Sequence, residues 1–262
     1  MGKVSALFRY PVKSMLGERL AESPVTRRGL AGDRAFALID RDTGKVVSAK
    51  NPRLWRDLLT MSATMAHRVA IIETAEGTVR SSDENVDEVL SKLIGRAVHL
   101  TDVPPPDGSF DRARPDEVLQ AGIDAVVGVD VGHVKQGTFF DFADLHLITT
   151  ATLRRTGAEV RRFRPNIVVD VPGEGFVEND WTGRDWRIGA ELVIRVVVPT
   201  PRCAVPTLAH GGLPRDPGVL RFLTKHNRIV PLESLGPQPC AGIYAQVVQP
   251  GPVAEGDLMR PA

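Results

Sequence analysis

Leu192-Val-Ile-Arg-Val-Val-Val-Pro-Thr-Pro-Arg-Cys203 decides how this chain is read. Its first seven residues are all β-branched or leucine apart from Arg195, which makes a strongly apolar strand. Pro199 and Pro201 cannot donate to a sheet ladder, so they are expected to force the chain out of the sheet and leave the Cys203 thiol at a strand end. Arg202 beside it supplies positive charge that favours the thiolate, the form that attacks or binds a soft metal. A cysteine there can equally be a small buried hydrophobe, and local sequence leaves both readings open.

Working outward, the same kind of run recurs. Val4, Ala6 and Phe8 alternate with polar neighbours, and Phe36 to Ile39, Val69 to Ile72, Ile167 to Val169 and Ile243 to Val248 are β-branched or aromatic stretches. Helices are fewer and short. One starts at Asn51, an N-cap followed by Pro52, and a second follows a capping box at Ser81-Ser-Asp-Glu84 with Val86, Val89, Leu90 and Leu93 at helical spacing up to Gly95. Two more are expected over Thr150 to Thr156 and Val219 to Lys225. Proline and glycine displace the periodic pattern from Val103 to Asp116, which sets a domain boundary there and divides the chain into 1–115 and 116–262. Without long β-α-β alternation or glycine-rich phosphate loops, a Rossmann or P-loop enzyme is excluded. A mainly β (α+β) fold is predicted, with barrel-like, mostly antiparallel domains and a few short helices.

Composition narrows the function classes. Thirty-three basic against thirty-two acidic residues leave a formal charge of +1, so no global field draws nucleic acid or an anionic membrane, and any anion site must be local. Lys3 and Arg9 interrupt what a secretory leader would need as an apolar stretch, Ala6 breaks a myristoylation motif, and Arg195 interrupts the best membrane candidate. A cytoplasmic chain with neither membrane nor nucleic-acid partner is expected. Two cysteines are too few for a disulfide scaffold or a four-thiolate cluster, and Cys240, with no charged neighbour within three residues, reads as packing. Six histidines show no zinc-hydrolase spacing, and no G-x-S-x-G marks a serine nucleophile.

Local anion sites are available. Arg161-Arg-Phe-Arg-Pro-Asn166 precedes an apolar strand, and strand alternation sends Arg162 and Arg164 to one face, a fork for phosphate or else a charged edge that discourages pairing. Ile148-Thr-Thr-Ala-Thr-Leu153 reads as a strand turning into a helix, whose capped N-terminus favours an anion, although ordinary capping explains the same threonines. Tyr10-Pro-Val-Lys-Ser14 and Gly29-Leu-Ala-Gly-Asp-Arg34 place further cations at strand ends.

In this order, Tyr10-Pro-Val-Lys-Ser14, Gly32-Asp-Arg34, Ile148 to Leu153, Arg162-Phe-Arg-Pro-Asn166, Arg202-Cys203, Tyr244 and Pro250-Gly251 resemble the MOSC family, named for the C-terminal domain of molybdenum-cofactor sulfurases, preceded by its N-terminal β-barrel partner. The likeness is greatest to the two-domain group that includes the mitochondrial amidoxime-reducing component and its bacterial relatives. It implies two barrel-like domains with a molybdenum cofactor (Mo-molybdopterin) between them. Cys203 is then the ligand to the metal and the catalytic thiolate, while Lys13, Ser14, Arg34, Thr149, Arg164, Asn166, Arg202 and Tyr244 hold the pterin and its phosphate. Relatives differ in having a small polar residue in place of Pro201 and often serine at Thr149.

The expected activity is reduction of small N-hydroxylated or related oxygenated compounds. Electrons are expected from a separate donor of the ferredoxin, flavoprotein or cytochrome type, because this chain lacks thiols for a cluster of its own. Two other functions fit the same residues: a sulfur or cofactor carrier that works through a Cys203 persulfide, and a pterin-binding module without turnover.

Overall fold

Leu192–Pro201 is a ten-residue strand in the protein, whose residues 1–262 are all described by a computed structural model. It pairs antiparallel with Asp185–Ile188 on one side and Gln238–Gln249 on the other. The ring continues through Leu145–Thr149, Ile167–Asp170, Gly2–Arg9 and Leu258–Pro261 back to Asp185–Ile188, which closes a seven-stranded barrel. Seven is odd, so strict antiparallel alternation cannot complete the circle and one parallel pair is required. That pair is Leu145–Thr149 with Ile167–Asp170, joined by a crossover that carries the helix Thr150–Thr156. Closure removes exposed edges, and the inward side chains form a core of twenty buried residues that includes Leu7, Leu147, Ile167, Ile194 and Ile243.

The prolines of the central strand do not end it. Pro199 stays opposite Ile243 and Pro201 opposite Cys240, with register shifts between Val196 and Val198 and between Pro199 and Pro201. A residue without an N–H is tolerated where the ladder is already interrupted, so the strand runs three residues past Val198, to Pro201, before the chain reaches Cys203. A similar irregularity corrects the first strand. Between Val4 and Ala6 the pairing with Ile167–Asp170 shifts, so Val4 and Leu7 both enter the barrel core, while Ala6 and Phe8 pack outside it near Phe163.

The rest of the N-terminal half surrounds a second core of sixteen buried residues, among them Val12, Phe36, Leu58, Ile72 and Leu90. Around it lie the meander Ser62–Ala66, Val69–Thr74 and Gly77–Arg80 and the pair Ala37–Asp40 with Val98–Thr101. The halves share strands: Gly2–Arg9 belongs to the C-terminal barrel, and Glu22–Thr26 pairs with Gly251–Ala254.

Four helices stand where the sequence put them, over Pro52–Trp55, Val86–Ile94, Thr150–Thr156 and Gly218–His226. The capping box does not form. Asn85 occupies the N-cap of Val86–Ile94, and Ser81 instead accepts a hydrogen bond from the Ala70 amide at 3.0 Å. Within the proline-rich stretch the chain makes a hairpin, Ser109–Ala113 with Val129–His133, around the helix Pro115–Ala121. No helix is long and apolar enough to cross a membrane.

Candidate functional site

A cavity of about 500 Å³ lies where both halves and the hairpin meet. From the first half come Lys13, Ser14, Arg34 and Lys50, and from the barrel come His146, Arg164, Arg202, Cys203 and Tyr244.

Lys13 follows the first strand and is buried with its ammonium donating to the Phe139 carbonyl at 2.7 Å and to Asp141 at 2.5 Å. Lys50 pairs with the other oxygen of Asp141 at 2.8 Å, and both ammoniums sit over the Phe110 ring, at 5.1 and 4.8 Å. Burial pushes Lys13 down to about 8, against the pull of Asp141. Burial works against the charge of Asp141 too, yet Lys13 and Lys50 hold it well below the usual carboxylate range. This triad was missed in the sequence. The available signal was Asp141 itself, a carboxylate in the aromatic run Phe139-Phe-Asp-Phe142.

Ser14, Arg34 and Arg164 share a backbone peculiarity. They have φ of 69°, 48° and 54° and are three of the five non-glycine residues in the left-handed region. Such conformations cost energy in L-residues and tend to concentrate at functional sites. Ser14 accepts from the Ala49 amide at 3.0 Å, and Arg34 pairs with Asp33 and lies over the Tyr10 ring at 5.2 Å. Arg164 lies over the same Tyr10 ring at 4.3 Å. Burial pushes the Tyr10 phenol up to about 12 although both arginines pull it down, and burial lowers Arg164 to about 10.

Arg162 and Arg164 do not form a fork. Residues Val160–Phe163 make a helical turn rather than a strand, and Arg164 caps it in the left-handed conformation. Arg162 therefore turns into the protein. There it pairs with Glu159 at 2.6 Å and donates to the carbonyls of Leu208 and Pro214 at 3.1 and 2.8 Å, tying down the loop beyond Cys203. Arg164 alone faces the cavity.

Arg202 is buried, donating to the Phe163 carbonyl at 2.9 Å and to His146 at 3.4 Å. Cys203 is 9% exposed and combines both of its earlier readings: it lines the cavity and also packs with Ala49, Leu59, Val205 and Leu208. Cys240 is fully buried, donates weakly to the Gln238 carbonyl, and is pushed up to about 12 by burial. Tyr244 faces His146 and Phe142, with ring centroids 5.7 and 5.5 Å away.

Two residues of the expected set lie elsewhere. Thr149 caps the helix Thr150–Thr156 by accepting from the Thr152 amide at 3.1 Å, and its hydroxyl donates to buried Glu178 at 2.7 Å. Asn166 accepts from the His146 amide at 3.1 Å and donates to the Phe8 carbonyl at 3.3 Å. Neither lines the cavity, and the side chains of both are engaged by these partners instead.

The lining carries six cations, Lys13, Arg34, Lys50, Arg112, Arg164 and Arg202, against the carboxylates Asp130 and Asp141. Buried nitrogens of Arg112, Arg164 and Arg202 have no hydrogen-bond partner within the protein. Unpaired buried donors are costly, and with the excess of cations they suit this lining to an anion with several acceptor oxygens. A soft thiol at the same cavity adds a ligand for a soft metal. The donor set therefore fits a phosphorylated, sulfur-loving metal cofactor.

Residues 1–97 match the family model described as the MOSC N-terminal beta barrel domain, and residues 132–260 match the MOSC domain. Among solved structures, the YUAD protein of Bacillus subtilis is 11% identical with a TM-score of 0.45, over 98% of this chain and 93% of that one. YiiM of Geobacillus stearothermophilus is 15% identical with a TM-score of 0.33, over 61% of this chain and 75% of that one. No protein with a curated description matches.

Proposed function

The chain belongs to the MOSC family, whose domains are associated with molybdenum-cofactor binding, and from this we propose that it is a molybdenum-cofactor oxidoreductase. Its substrates are small N-hydroxylated or related oxygenated compounds, and its electrons come from a separate donor protein of the ferredoxin, flavoprotein or cytochrome type. One observation carries the reading: the Cys203 thiol opens on the same cavity as buried arginine nitrogens that have no protein partner.

Cys203 is the ligand for the metal, and Arg34, Arg164 and Arg202 with Lys13, Ser14 and Tyr244 hold the pterin and its phosphate. The cofactor supplies two-electron oxygen-atom chemistry when bound. The protein's part is placement. Arg164 and Arg202 each keep one nitrogen that no protein acceptor claims, Tyr10 supports two guanidiniums by its ring, and the Lys13–Asp141–Lys50 triad adds paired charges to the same lining. Thr149 and Asn166 serve behind the wall: Asn166 fixes the strand that carries His146, and Thr149 caps the crossover helix.

Protein made in a cofactor-competent host and assayed with an amidoxime and an artificial electron donor tests this. Stoichiometric molybdenum with turnover supports the reductase. Cyanide-labile sulfur without molybdenum makes the chain a sulfur carrier instead, and retained cofactor without turnover makes it a binding module.

A further inference from the structure

His146 belongs to no motif, yet it is buried at the cavity wall between Arg164 and Arg202, two of the arginines with an unpartnered buried nitrogen. It lies on Leu145–Thr149, opposite Tyr244 of the neighbouring strand. Asn166 grips its backbone from both sides, accepting from the His146 amide and donating its own amide to the His146 carbonyl at 2.7 Å. The imidazole Nδ1 faces the Arg164 carbonyl at 3.3 Å, and Nε2 faces Arg202 Nη1 at 3.4 Å.

A guanidinium can only donate and a carbonyl can only accept. Both of these contacts are satisfied when the ring carries its proton on Nδ1 and leaves Nε2 bare. Burial, and then the charge of Arg202, hold its pKa well below the ordinary histidine value, so the ring stays neutral beside that cation even though the Ala241 carbonyl also faces it. The opposite strand makes room for it. Gly242 has φ of +75°, and a Cβ there would stand 2.6 Å from His146 Nε2.

We propose that His146 is a positioning residue for anion binding: through one neutral tautomer it fixes both the Arg202 guanidinium and the left-handed Arg164 backbone. The reasoning is geometric. Arg202 spends Nη1 on His146 and Nη2 on the Phe163 carbonyl, which sets its plane and leaves Nε without a protein partner. Arg164 is held by its own carbonyl, so its side chain can stack on Tyr10 and keep Nη1 free. This role rests on the cavity being the anion site proposed above.

The test uses the cofactor-free full-length chain, with inorganic phosphate as the probe titrated by calorimetry into wild type, His146→Gln and His146→Leu. Glutamine keeps an acceptor near Nε2 and leucine keeps only bulk. Leucine weakens phosphate binding by about tenfold, and glutamine recovers it to within about threefold of wild type. Equal phosphate affinity in wild type and the leucine variant overturns the role of His146 while leaving the anion site standing. Absence of phosphate binding in wild type overturns the anion site as well. Nitrogen-15 NMR of the wild-type imidazole gives a reading that needs no folded variant. The expected spectrum has a protonated Nδ1 and a bare Nε2 whose resonance moves when phosphate is added, and a proton on Nε2 directed at Ala241 contradicts the proposal.

Discussion

Lys13 illustrates how single residues set the behaviour of this site. Burial brings its pKa from 10.5 down to about 8, so in the folded chain it loses its proton while the unfolded chain still holds one. Between those values the unfolded state binds more protons, and the contribution of Lys13 to stability rises with pH. Anion binding has the opposite sign, because one wall cation disappears. Sulfate affinity, measured calorimetrically, should fall as pH rises through about 8, and Lys13→Arg should flatten that fall because arginine keeps its charge. Arg162 is a second residue-scale case. Arg162→Met leaves the carbonyls of Leu208 and Pro214 and the carboxylate of Glu159 without their partner. Urea denaturation should show a loss of about 3 kcal/mol. These two residues mark what the sequence carries and what it does not. Lys13, Ser14, Arg34, Arg164, Arg202, Cys203 and Tyr244 stand in ordered motifs and meet at the cavity. Lys50, Asp141 and His146 have no motif because their roles come from partners distant in the chain, and the Arg162–Arg164 fork failed because a helical turn replaced strand alternation.

At the scale of elements, apolar runs made most strands legible, while their neighbours were not. Leu192 to Val198 announces a strand by its side chains, but its continuation through Pro199 and Pro201 depends on register shifts in the pairing with Gln238–Gln249, which only the assembled sheet has. The lost capping box has a similar cause: Ser81 finds a better use closing the strand Val69–Thr74 at the Ala70 amide. Gly242 tests the element-scale account. A Cβ at this position would meet the Leu147 carbonyl at 2.4 Å as well as His146, in a left-handed conformation that L side chains rarely adopt. Gly242→Ala should destabilise the barrel by about 2 kcal/mol or more, read by thermal unfolding. An unchanged midpoint means that the pairing of Leu145–Thr149 with Gln238–Gln249 is looser than described.

The whole molecule is two cores that exchange strands around one cavity. Gly2–Arg9 completes the barrel of the C-terminal half, so closure of that barrel waits for the first residues of the chain. Hydrogen exchange should show the amides of Gly2–Arg9 opening together with those of Ile167–Asp170, and at a different free energy from the meander Ser62–Ala66, Val69–Thr74 and Gly77–Arg80. Exchange of the first strand in step with the meander contradicts that assignment. The shared strands also hold the two halves together at the cavity, where Lys13 and Arg34 from one half meet Arg164 and Cys203 from the other. The most direct measurement is molybdenum content per chain for wild type and Cys203→Ala, both purified from a cofactor-competent host, with thermal unfolding as the control for folding. Equimolar metal in wild type and its loss in a variant that unfolds at nearly the same temperature is the predicted result. Equal molybdenum in both proteins, or none in wild type, contradicts the account.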